Sequence, residues 1–126
     1  MPLVKKHLTL AAGATSEQVL AGTTYEYVGP NTRLVVAAQT QNVAGSIING
    51  QTSTGDVQMN FNVNNAEFAR DASVSVAVPG EPFGWKGNYV MNDMITTAVE
   101  RNRPIITFTN NDTVTREIDV AVFIGG

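Results

Sequence analysis

The sequence predicts a single all-β domain over residues 1–126, an antiparallel β-sandwich or jelly roll of about eight or nine strands with at most one short helix. Three observations carry this prediction. Sixteen Val and seven Ile stand against five Leu, and β-branched side chains suit a pleated, half-buried surface. Apolar and polar residues alternate with period two in several short segments. Between them lie Gly, Pro and Asn clusters of the kind that make turns.

Taken in order, residues 3–10 (LVKKHLTL) read as a first strand, with residues 1–7 available as an extended N-terminal arm. Residues 13–18 are a loop, since no helical run follows the capping-like Thr15, Ser16 and Gln18. Residues 23–28 (TTYEYV) are expected as a strand with Tyr25 and Tyr27 on one face. Gly29-Pro30-Asn31 is a turn, in which Pro sets φ and Asn tolerates the left-handed region. Strands follow at 32–39 and 43–48, then an Asn49-Gly50 hairpin signal.

Residues 56–63 (DVQMNFNV) alternate most cleanly, with Val57, Met59, Phe61 and Val63 inward and a row of amides outward. Residues 64–71 read as one helical turn or a loop, and 72–78 (ASVSVAV) as a strand. Two Pro and three Gly make 79–88 a loop. Residues 89–100 fit a helical stripe and a strand equally well. Pro104 opens a strand to Thr109, Asn110-Asn111-Asp112 turns, and 113–124 form the last strand, with Ile118, Val120, Val122 and Ile124 on one face.

Charge limits the function classes. The net charge is −3, which argues against a nucleic-acid binder with a basic face. Charged residues make up 15% of the chain, so neutral amides and hydroxyls dominate the polar surface and little charge needs desolvating when two copies meet. The absence of Cys excludes disulfides, thiolate zinc sites and thiol catalysis. No apolar stretch follows Lys5 and Lys6 and none is long enough to span a membrane, so neither export nor membrane insertion is expected.

No catalytic constellation emerges, and the chain reads as a non-enzyme without metal or cofactor. His7 is the only histidine, and a solvated or packed role is simpler for it than catalysis. One His cannot supply the ligand cluster of a metal-dependent cupin. Glu117 and Asp119 alternate on the last strand and can hold a cation between them, though a solvated face is the plainer reading. Asn110-Asn111-Asp112 lacks the further acidic ligands of a calcium loop.

The candidate interface residues are therefore contact residues. Phe83, Trp85 and Tyr89 concentrate aromatic area in the 81–89 loop, either plugging the core or anchoring a partner. Arg101 and Arg103 flank Asn102 and can face a neighbour's carboxylates or water. Lys5 and Lys6 form a small basic cluster that can reach an adjacent subunit.

In composition and expected architecture the whole chain resembles the small β-sandwich and jelly-roll proteins of bacteriophage particles, the cement (decoration) and minor capsid proteins. The resemblance lies in the strand Val57 to Val63, the segment Met1 to His7 and the terminus Phe123-Ile124-Gly125-Gly126. It implies a virion protein made in the host cytoplasm, self-associating, with a trimer favoured, and bound to a major capsid protein. The alternative is a carbohydrate-binding or lectin-like module with Phe83, Trp85 and Tyr89 as its stacking platform.

Overall fold

The computed structural model describes residues 2–41, 53–76 and 90–125, with the side chains of 53–56 excepted. These residues form seven strands and no helix: β1 (Leu3–Leu10), β2 (Arg33–Thr40), β3 (Ser53–Val63), β4 (Ala66–Val76), β5 (Val90–Ile95), β6 (Pro104–Asn110) and β7 (Arg116–Gly125). They make one mixed sheet in the order β1-β7-β2-β4-β3-β6. The second edge of β2 is divided, with β5 antiparallel along Arg33–Ala37 and β4 parallel at Gln39–Thr40.

The sheet curls nearly into a barrel. Residues 13–19, which leave β1 through a turn at Gly13 (φ 78), run along the outer edge of β6. There the Ser16 and Val19 amides donate to the Phe108 and Ile106 carbonyls at 2.8 and 2.9 Å, drawing the two ends of the sheet together. The described residues bear out the all-β class in one mixed sheet without confirming a sandwich or jelly roll, and their strands number seven rather than eight or nine.

The inward face is one continuous core. Val57, Met59, Phe61 and Val63 of β3 are all buried, as are Ile118, Val120, Val122 and Ile124 of β7. Both sets are the period-two faces that the sequence predicts.

Three segments differ from expectation for local reasons. Residues 23–28 are turns with a single bridge, Val28 to Asn102, because nearby side chains take over backbone partners. The Thr23 hydroxyl accepts from the Tyr25 amide, and the Glu26 carboxylate accepts from the Gly22 amide. Residues 64–71 are neither helix nor long loop. Asn64 and Asn65 adopt φ of 52° and 67°, a two-residue hairpin turn that lets β4 begin at Ala66. In 89–100 the strand wins: β5 runs to Ile95 and the chain then loops to β6. The expected strand at 43–48 and the loop at 79–88 lie outside the described residues.

Candidate functional site

The residues singled out from the sequence fall on two parts of the surface. Lys5 and Lys6 lie on β1, the terminal strand of the sheet. The Pro2 carbonyl accepts from the Ile124 amide at 2.9 Å, so the backbone groups of Leu3, Lys5 and Thr9 point away from β7 toward the other edge of the strand. That edge borders a cleft of about 320 Å³ between β1 and residues 15–21, with Lys6 and Glu17 among its walls and Leu8, Leu10 and Val19 as its apolar lining. Lysines on such an edge discourage indiscriminate strand pairing.

On the outward face of the same strand, His7 sits in register with Asp119. Its Nδ1 lies 2.8 Å from the Asp119 carboxylate and its Nε2 lies 3.1 Å from the Glu117 carboxylate. A neutral imidazole has only one N–H, so this geometry calls for the imidazolium. The two carboxylates accordingly hold the His7 pKa above its ordinary value, Asp119 contributing most. The group between Glu117 and Asp119 is this protein's own His7, not the plain solvated face that the sequence favoured. The ring nitrogens meet their carboxylates on opposite sides, and among the described residues no His, Asp or Glu group converges as a metal site.

The second surface lies where β2 and β6 begin. The Arg101 guanidinium stacks 3.7 Å from the centroid of the Tyr27 ring, and that of Arg103 lies 5.9 Å from it. Both arginines are exposed, and Tyr27 is 39% exposed. Between them Asn102 is fully buried. Its amide nitrogen donates to the carbonyls of Gly29 (3.0 Å) and Val99 (3.1 Å), and its oxygen accepts from Asn64 Nδ2 (3.0 Å) and Thr97 Oγ1 (2.9 Å). Its backbone exchanges two bonds with Val28. One inward residue flanked by two outward ones puts both guanidiniums on the same side. Beside them opens a cleft of about 330 Å³ lined by Tyr25, Tyr27, Thr32 and Ile124.

Three further polar residues were not evident in the sequence as anchors. Asn102 is one. Asn110 is another, fully buried, its amide nitrogen donating to the carbonyls of Leu10, Ala11 and Val114. The third is Arg116, whose side chain is buried against Asp112 at 2.7 Å and donates to the Gln41 carbonyl. The Thr113 amide and Arg116 together hold the Asp112 carboxyl below its usual range. The 110–112 segment is thus turn and anchor chemistry, with its acid committed to Arg116. A lone Asn within a turn sequence carries no signal that distinguishes an anchor from a solvated residue.

Phe83, Trp85 and Tyr89 lie outside the described residues. Compared with protein-family models, curated proteins and solved structures, the chain gives no match.

Proposed function

We propose that this chain is a structural protein of a bacteriophage particle, a cement (decoration) or minor capsid protein that associates with itself, as a trimer, and with a major capsid protein. It acts without catalysis or a cofactor. One observation supports an assembly role above the others: apolar side chains recur on the outward face shared by β1, β7, β2 and β5, interspersed with the charged Lys5, Arg33 and Asp93. Leu3 of β1, Phe123 of β7 and Val35 of β2 share one cross-strand row. Ala121, Ala37 and Val90 share the next, and Ile95 lies alongside on β5. An outward strand face that met only water would be polar, as Gln58, Asn60 and Asn62 are on β3. At the margins of this face Leu3, Val90 and Ile95 are 43%, 53% and 65% exposed. These exposed apolar side chains rim Ala37 and Ala121, which are themselves fully buried, and exposed apolar area marks interaction surfaces.

The particle setting comes from the resemblance in composition. A neutral, amide-rich surface with 15% charged residues can be packed closely on a lattice at small desolvation cost. Multivalent attachment then adds avidity, and binding only the assembled shell stabilises it.

Sedimentation velocity over a range of concentrations tests this reading with the wild type, Val90→Glu and Ile95→Glu. Concentration-dependent association of the wild type and monomeric variants are expected. A wild type that stays monomeric and does not cosediment with particle shells would refute it. A monomer that binds oligosaccharides would favour the carbohydrate-binding alternative.

A further inference from the structure

We propose that Tyr27, Arg101 and Arg103 form a docking site for the carboxylates of an acidic, extended segment of a partner protein. The proposal rests on the assembly reading and names the chemistry of one contact within it.

The backbone that carries both arginines is firmly held, and the Arg101 guanidinium is held over Tyr27. Asn102 is locked between them by four side-chain bonds and two backbone bonds. The Arg103 amide donates to Asn64 Oδ1 at 2.8 Å, and the Asn64 amide returns a bond to the Arg103 carbonyl at 3.2 Å. The Tyr27 ring then holds the Arg101 guanidinium over its face, 3.7 Å from the centroid. A guanidinium stacked by its face keeps its in-plane N–H donors free for a planar bidentate acceptor.

Neither arginine has a carboxylate partner among the described residues. The same chain shows what paired arginines look like: Arg33 forks onto Asp93 at 3.0 and 2.7 Å, and Arg116 closes on Asp112. Acids outnumber bases eleven to eight, so a shortage of carboxylates does not explain the lack of a partner. Two like charges held side by side repel, and an external anion relieves that repulsion.

The ligand chemistry follows from the number of charges and the neighbouring cleft. Two guanidiniums match two carboxylates at alternate positions of a strand-like peptide. The adjacent cleft, floored by Ile124 and walled by Tyr25 and Tyr27, accepts an apolar side chain beside them. A polyanion such as nucleic acid fits poorly, because its affinity comes from many phosphate contacts and this chain carries a net charge of −3.

The test is an NMR titration of the ¹⁵N-labelled full chain with the capped peptide acetyl-Glu-Leu-Glu-Leu-Glu-amide. Its Gln-for-Glu counterpart and inorganic phosphate serve as comparisons. The expected result is saturable shifts confined to Tyr27, Val28 and Arg101 to Arg103, absent with the Gln peptide and weakened about tenfold or more in R101Q/R103Q. R101K/R103K keeps the charges but loses the forks, and should weaken binding by a smaller factor; it also serves if the Gln variant fails to fold. Shifts spread over the surface, affinity unchanged in either variant, or equal responses to the peptide and phosphate would overturn the proposal. Self-association in the sedimentation experiment is read separately. An associating protein that ignores the peptide refutes this site alone, and a monomer that binds it refutes only the self-association.

Discussion

Replacing Asn102 with Ala should be among the most damaging single changes at the polar anchors of this fold. The side chain is fully buried and makes four well-formed bonds, between 2.9 and 3.1 Å. A net contribution of about 1 kcal/mol per bond gives a loss of roughly 3–4 kcal/mol, allowing for some water entry. The Val99 carbonyl would lose the Asn102 donor, the Gly29 carbonyl would keep only Thr32 and Thr96, and the turn at Asn64 would keep only its two bonds to Arg103. In a domain with about 5–15 kcal/mol of total stability, that loss is a large fraction. It corresponds to a fall in Tm of about 10–15 °C for a chain of this size. Asn102→Asp sharpens the argument, because it keeps the acceptors but faces the two carbonyls with an oxygen. It should cost at least as much near neutral pH. Urea unfolding followed by far-ultraviolet circular dichroism measures both. A loss under about 1 kcal/mol for either variant would refute the reasoning that these bonds anchor the loop.

Four other outcomes are expected. Because both carboxylates raise the His7 pKa, its stabilisation is fully present below the unfolded value near 6.5 and fades as pH rises through the higher folded value. His7→Gln should therefore lower stability by about 0.5–1 kcal/mol at pH 6 and by less at pH 9, the half-exposed ring limiting the effect; an equal loss at both values would contradict the imidazolium. Asp112→Asn should cost roughly 2–3 kcal/mol, since it takes the Asp112 carboxylate away from the buried Arg116 side chain, and denaturant midpoints would show it. Phe61→Ala, which empties a fully buried site in β3, should cost about 3–5 kcal/mol by the same measurement. Asn65→Gly should be neutral or slightly stabilising, because φ of 67° suits Gly better than Asn, and calorimetry would detect a contrary fall in Tm.

The period-two segments were the most legible part of the chain. In β3 and β7 each alternate apolar residue is a core residue, because register on a buried face admits no slip. What sequence spacing does not encode is which strands pair. The division of β2 between β5 and β4, and the packing of residues 13–19 on β6, depend on contacts between distant segments. Residues 23–28 misled because their β-forming Tyr and Thr content competes with side-chain hydrogen bonds to the local backbone. At the candidate site Arg101 and Arg103 were readable as a pair of flanking charges. Their aromatic partner Tyr27 was not, since it comes from a segment far away along the chain.

The most direct test of an assembly surface across β1, β7, β2 and β5 is amide hydrogen exchange of the wild-type chain below and above its association midpoint. The account predicts added protection in β1 and β5 on association, with β3 and β6 unchanged. Added protection centred on β3 and β6, or identical exchange at every concentration, would contradict it.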